Sequence, residues 1–393
     1  MAGIYIHIPF CKQACHYCDF HFSTSLKKKD EMVLAIAKEI AMRKNEFEDE
    51  VIETIYFGGG TPSILEVSDL KFLIDEVYKN YKVSENPEIT IEANPDDLSE
   101  ERIIELSKTP INRLSIGIQS FFEEDLQLMN RAHNSAEAKK CLEIATQYFD
   151  NISVDLIYGT PDPSQNGEQA QQMSNERWLQ NIQTVLDLNI PHISSYALTV
   201  EPKTALHKFI KDGIISQPDD AVAHEQFLIL VDTLEKNKFI HYELSNFGKE
   251  NYFSRNNSAY WLGKKYIGIG PSAHSYDGKN RSWNVSNNGS YLKSLSENTL
   301  PSETETLSET DRYNEYVMTG LRTIWGVSLD KIEAEFGERY HKYLIQNAQK
   351  YLDNGKLILE NNVLRTTRKG KFFCDGIASD LFYLNLEKNS NAD

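Results

Sequence analysis

The 393-residue chain carries 58 acidic and 41 basic residues, a formal net charge of −17, and such a surface argues against a nucleic-acid partner, whose phosphates it would repel. Its 40% hydrophobic and 11% aromatic content is that of a soluble enzyme long enough for one large domain and a smaller one. No apolar run approaches the roughly 18 residues of a membrane span. The start MAGIYIHIPF lacks a basic n-region, a long apolar h-region and a cleavage site, so a cytoplasmic location is expected, with any membrane association made through partners.

Six β-rich runs follow in chain order: GIYIHIPF, ETIYFGGGTP, EITIEANP, NRLSIGIQSF, NISVDLIYGTP and HISSYALTV. They read as mostly apolar on both faces, the pattern of parallel strands covered by helices. Between them, residues 31–45 place Met32, Val33, Ile36 and Ile40 on one helical face, and residues 68–81 do the same with Leu70, Leu73, Ile74 and Val77. The alternation predicts an α/β fold, a partial (β/α)6 barrel, with functional loops at the C-terminal ends of its strands. Cys11 follows the first strand, GGGTP ends the second, Asn94-Pro95 the third and Gln119 the fourth, while Asp155 lies within the fifth. One rim should therefore gather one site.

The polar segment 162–177, DPSQNGEQAQQMSNER, reads as a surface loop before the next helix. From about Ser302 the pattern turns to amphipathic helix and then to short β pieces such as KLILENNVLRTT. Residues 1–300 are thus expected to form the barrel with its extensions, 301–386 a small helical, winged-helix-like domain, and 387–393 a disordered tail.

Five cysteines, three of them within eight residues, do not form a disulfide framework. Cys141 shares an apolar helical face with Ala138, Leu142 and Ala145, and Cys374 adjoins Phe373; both read as buried structural thiols. Cys11, Cys15 and Cys18, spaced C-x3-C-x2-C after a strand, suit one face of an iron–sulfur cube and leave one iron without a protein ligand. The alternative is a zinc site completed by His7, His16 or His21.

In this spacing and placement the chain resembles the radical S-adenosylmethionine (SAM) superfamily. The resemblance implies a 4Fe-4S cluster on Cys11, Cys15 and Cys18 whose free iron chelates SAM, and reductive SAM cleavage to a 5'-deoxyadenosyl radical. It further implies SAM contacts from the turn Gly58, Gly59, Gly60 and Thr61, from Glu92 to the ribose, and from Gln119, Arg131 and Asp155, with Tyr5 and Tyr17 packed near the cluster. The bland readings are a surface ion pair for Arg131 and a capping role for Asp155.

YIHIPFC, FGGGTP, RLSIGIQSF, VDLIYG, YALTVEPKT, YELSNF and YIGIGPSAHS are similar to the coproporphyrinogen III dehydrogenase-like group over most of the chain. The dehydrogenase branch continues its motif to a fourth cysteine and carries an N-terminal extension. Here the motif reads Cys18-Asp19-Phe20 and the chain starts at the first strand, as in the group's haem-chaperone branch. That branch implies haem or porphyrin as cargo, delivery to haem-requiring respiratory enzymes at the membrane, an unidentified electron donor and no assigned catalytic residue. The alternative is an oxygen-independent coproporphyrinogen III dehydrogenase. A motif HNxxYW associated with haem appears as residues 256–261, NNSAYW, so Tyr260 and Trp261 are candidate porphyrin contacts or core aromatics. Asn256 stands where an imidazole is expected, and His274 is the nearest other candidate ligand.

Overall fold

The computed structural model describes residues 2–161 and 168–384. Six parallel strands, β1 (Ala2–Ile8), β2 (Ile52–Gly59), β3 (Val83–Ala93), β4 (Arg113–Gln119), β5 (Ile152–Tyr158) and β6 (His192–Ala197), lie side by side in that order. Their connections carry α1 (Lys29–Met42), α2 (Val67–Asn80), α3 (Glu100–Ser107), α4 (Glu123–Leu128), α5 (Ser135–Ala145) and α6 (Glu168–Asp187). The predicted partial (β/α)6 barrel is therefore present.

Both edges are extended in a way the strand pattern did not announce. After α7 (Ala205–Lys211) and α8 (Asp220–Lys236), the antiparallel pair β7 (Ile240–Glu243) and β8 (Asn246–Gly248) joins β6. Beyond α9 (Arg255–Trp261), β9 (Lys265–Ile269) adds parallel to β1 on the other edge. It is followed by antiparallel β10 (His274–Tyr276), β11 (Asn280–Asn284) and, after α10 (Asn288–Ser296), β12 (Ser302–Thr306). Among the described residues the sheet stays open, with twelve strands.

The strands are not apolar on both faces. Outward residues such as Ile4, Ile6, Ile55, Phe57, Ile89, Ile91, Leu114, Ile116, Val154 and Leu156 form the core with the helices. Alternate residues meet as polar pairs in the lumen: Tyr56 donates to Glu92 (2.8 Å), Ser115 to Asp155 (3.4 Å), and His192 bridges Ser153 (2.7 Å) and Tyr242 (2.7 Å). This is period-2 patterning on a parallel sheet, produced because the lumen holds polar groups and not a third layer of aliphatics.

The lumen is closed at the N-terminal ends of the strands by α9. The Glu88 carboxylate accepts from the amides of Arg255 and Asn256 (both 3.0 Å), satisfying the first turn, and the Thr54 hydroxyl donates to Asn256 Oδ1 (3.0 Å).

A second apolar core is built from α11 (Glu309–Leu321), β13 (Val327–Ser328), α12 (Leu329–Phe336), α13 (Glu338–Asp353), the hairpin β14 (Leu357–Glu360) and β15 (Val363–Thr366), α14 (Arg368–Lys371) and α15 (Cys374–Asp380). Its three strands pair in the order β13-β15-β14. Ile324 N donates to Tyr242 O (3.0 Å) and joins this unit to the barrel. Cys141 and Cys374 are both buried, as expected for structural thiols.

The predicted loop 162–177 needs correction. From Glu168 the chain is already helical; residues 162–167, like the tail 387–393, lie outside the described residues. Gln, Glu, Ala and Met are good helix formers, and α6 is fastened by Trp178, Ile182 and Val185 in the core and by Gln226 donating to Ser174 (2.9 Å). Polarity alone read as loop what amphipathic packing makes helix.

Candidate functional site

The rim at the C-terminal ends of β1 to β6 encloses a cavity of about 630 Å³. The three clustered cysteines line it, together with Tyr17, Gly59, Gly60, Thr61, Glu92, Gln119, Arg131 and Asp155. Eleven residues proposed from sequence thus converge on one space.

The cysteine loop is stitched to the glycine turn. Gly60 N donates to Ile8 O (2.8 Å) and Thr61 N to Phe10 O (2.7 Å), so the turn is bonded to the two residues flanking Pro9, just before Cys11. Gly59 adopts φ +105°, and a Cβ there would lie 2.6 Å from the His7 ring; at Gly60 it would lie 2.5 Å from Phe10 O. Only glycine permits this approach.

Arg131 is not a surface ion pair. Its guanidinium donates to Asn94 Oδ1 (2.6 Å), Gly117 O (2.7 Å), Cys15 Sγ (3.3 Å) and the Tyr17 hydroxyl (3.5 Å), while Nε is buried with no partner. It brings positive charge to the thiols, where thiolate must be held. Burial pushes the Cys11 thiol up to about 11, an effect that coordination to iron reverses.

Asp155 lies within β5 and caps nothing. Burial raises its carboxyl to about 6, against hydrogen bonds from Ser194 and Ser115 and the charge of Arg113. Glu92 is pushed up to about 7 by burial, offset by the Tyr56 bond and aggravated by the Asp155 charge. Beneath them Arg113 is fully buried, its Nη2 3.4 Å from His192 Nδ1. Gln119 ends β4 in the left-handed region at φ 67°, unusual for a side chain with a Cβ.

Of the three proposed fourth zinc ligands, His7 has both ring nitrogens engaged, while His16 and His21 each have one engaged. His7 Nε2 lies 3.0 Å from His21 O, His21 Nε2 2.7 Å from Asn288 Oδ1, and His16 Nδ1 2.9 Å from Leu128 O. Among the described residues no group of three or more His, Cys, Asp or Glu side chains is placed to hold a single metal ion. The three sulfurs on one wall fit a cluster, whose corners lie farther apart than the ligands of one ion. The lining also fits SAM: four carboxylates, Asp19, Glu92, Asp155 and Glu201, face one guanidinium, and SAM carries a sulfonium and an ammonium.

Four proposed residues lie elsewhere. Gly58 and Tyr5 sit below the cavity, where a Cβ on Gly58 would meet Tyr5 Cε2 (2.9 Å) and Glu92 Oε1 (3.1 Å). Tyr260 points into the closed end of the lumen and packs edge-on against Tyr266 (4.5 Å), and Trp261 lies under the Arg322 guanidinium (5.3 Å). Asn256 is 3% exposed and fully engaged in holding α9, so no iron reaches it. Sequence reading missed Tyr56, Arg113, Ser115, Tyr196 and His192; their signal was a polar residue at every second position of otherwise apolar strands.

A pH dependence follows from the buried carboxyls. Glu92 and Asp155 hold more protons in the folded chain than in the unfolded one between about pH 4 and pH 7, so their contribution to stability falls as pH rises through that window, while buried neutral His7, His133, His192 and His241 contribute in the opposite sense. A cationic ligand favours the ionised forms, and the groups facing Glu92 are Tyr5, Tyr56, Arg113, Asp155, Tyr196 and Tyr260. SAM affinity of the cluster-loaded protein should therefore rise from about pH 5.5 to about 7.5, and Glu92→Gln should flatten the rise; calorimetric titration at a series of pH values checks both.

Comparison with known proteins agrees with this geometry. Residues 5–174 match the family model of the radical SAM superfamily, and residues 307–373 that of the HemN C-terminal domain. The chain is 32% identical to the haem chaperone HemW of Bacillus subtilis, covering 94% of this chain and 96% of that one. It is 30% identical to the haem chaperone HemW of Lactococcus lactis, with 93% of each covered. The solved structure of Escherichia coli coproporphyrinogen III oxidase (HemN), a radical SAM enzyme, superposes with a TM-score of 0.81 at 21% identity over 97% of this chain and 90% of that one, and so shares the fold. By near-full-length similarity at this level, the chain belongs to the HemW family within the radical SAM superfamily.

Proposed function

We propose that this protein is a haem chaperone that carries a 4Fe-4S cluster with SAM and hands haem to haem-requiring respiratory proteins. The observation that carries the reading is similarity to haem chaperones across both the barrel and the C-terminal unit. Cys11, Cys15 and Cys18 would hold the cluster; the Gly59–Thr61 turn, Glu92, Gln119, Arg131 and Asp155 would bind SAM. When bound, the cluster supplies one-electron reduction of the sulfonium. The chain's own residues position the ligands, shield the cavity and hold its charge balance.

Two features of the cavity disfavour the dehydrogenase alternative. Phe20, at the fourth-cysteine position, is 69% exposed at the cavity wall and offers no thiol. The lining has four carboxylates to one guanidinium, and coproporphyrinogen III would bring four more carboxylates against it. No helix of the described residues is long and apolar enough to cross a membrane. Anaerobic incubation with coproporphyrinogen III, SAM and a reductant should yield no protoporphyrinogen; catalytic formation of that product would replace the chaperone reading with the dehydrogenase.

A further inference from the structure

A histidine is a common axial ligand of haem iron, and the motif position that would supply one is filled by buried Asn256. Of the ten histidines, His7 and His192 have both ring nitrogens engaged, His133 and His241 are buried with one nitrogen on a carbonyl, and His16 and His21, each with one nitrogen engaged, flank the cluster cysteines. Among the described residues His207, His224, His274 and His341 make no ring hydrogen bond. Of these, His274 has one aromatic neighbour, Trp283 at 6.3 Å, and His224 has two. Its ring lies 4.4 Å from that of Phe372 and 6.1 Å from that of Phe373, and both phenyl groups, at 36% and 45% exposure, are open to solvent.

The same junction collects positive charge in a chain of net charge −17. One turn further along α8, Phe227, Leu228, Val231 and Glu235 form one wall of a cleft of about 260 Å³, and Arg365, Arg368 and Lys371 of the C-terminal unit line it too. Arg368 is paired with Asp232 and Glu235. Arg365 and Lys371 have no carboxylate partner within salt-bridge distance among the described residues: Arg365 Nε donates to Ile324 O (2.8 Å), and Lys371 Nζ to His241 O (3.3 Å). Lys356 Nζ sits 4.2 Å from the centroid of the Phe373 ring. Burial pulls the Lys371 ammonium down to about 8, against the charge of Glu235, so an anion in the cleft would relieve a charge the fold now disfavours.

The junction also adjoins the cluster cavity. Gly159 N donates to Gln226 Oε1 (2.8 Å), and a Cβ at Gly159 would touch Ala223, the neighbour of His224, at 3.3 Å. Gly159 directly follows β5, whose Asp155 and Ile157 line that cavity.

We propose that haem docks at this junction, with His224 as axial ligand, Phe372 and Phe373 against the porphyrin face, and Lys356, Arg365 and Lys371 facing the propionates. The chemistry is that of a haem site: an imidazole with no ring hydrogen bond, aromatic side chains and cations beside them. Arg365 and Lys371 line the adjoining cleft, where the propionates would lie. This site rests on the haem-chaperone reading and is distinct from the cysteine cavity.

The test is an anaerobic haem titration of the cluster-loaded full chain, read by Soret absorbance and ferric electron paramagnetic resonance. His224→Ala should weaken binding at least about tenfold and change the axial-ligand spectrum, with added imidazole restoring it; His274→Ala should leave both unchanged. The pair Lys356→Gln, Arg365→Gln should weaken haem but not haem dimethyl ester, which has no carboxylates, and this arm reads the site even where the histidine variant does not fold. Normal binding and spectrum in His224→Ala, or loss in His274→Ala alone, overturns the site while the chaperone reading stands. Absence of saturable binding by the natural chain overturns both.

Discussion

Replacing Cys11, Cys15 and Cys18 together by Ala should abolish iron binding, from about four irons per chain to none, and with it the visible absorbance of the anaerobically reconstituted protein. The three thiols line one cavity wall and lie on a half-buried loop outside the aliphatic core, so the fold should survive. Circular dichroism unchanged beside iron lost is the expected pair of results. Iron retained by the triple variant would mean that the ligands lie elsewhere. SAM affinity should fall in parallel, because the amino and carboxylate groups of SAM lose their metal partner while the acidic lining remains.

The second large effect is expected from Gly60→Ala, which adds a single carbon. The new Cβ would sit 2.5 Å from Phe10 O and 2.8 Å from Ile8 O, and both obstacles are main chain, which no rotamer change relieves. Those carbonyls accept from Thr61 N and Gly60 N, so the clash opens the bonds that fix the start of the cysteine loop. A loss of at least about 2 kcal/mol in stability is expected, as for other overpacked sites, with reduced iron retention. Chemical denaturation and iron content of the same sample read both. Gly213→Ala is the contrast: that glycine also has positive φ, +73°, but a Cβ there meets nothing within 4 Å, so iron retention should be unaffected.

Much of this site was legible because its residues sit at strand ends with unusual chemistry. Three thiols, three glycines and the end residues Glu92 and Gln119 break an apolar pattern, and the topology of a parallel barrel brings such breaks to one rim. Asp155 was legible for the same reason. Arg131 was placed there by resemblance alone: its sequence neighbourhood resembles a loop, and the fold shows its guanidinium bridging Asn94, Gly117 and Cys15. The polar lumen escaped notice because each strand shows only two or three polar residues, and their alignment across β2 to β6 exists only once the strands are in register. Tyr260 and Trp261 were placed with the cofactors by motif, yet α9 seats them at the closed end of the barrel and against Arg322. The edge strands β7 to β12 are short, and five of the six are antiparallel, so they carry too little periodicity to separate from loop. The start of α6 was hidden by composition, since a Gln- and Asn-rich segment has no apolar stripe before Trp178.

The charge of the cavity and the family membership converge on one account: a cluster-bearing radical SAM protein whose cargo is haem. It is tested most directly by titrating haem into the anaerobic, cluster-loaded natural chain and following the Soret band. Saturable binding near one haem per chain is the predicted result. A Soret response that grows without saturation, as free haem gives, would contradict it.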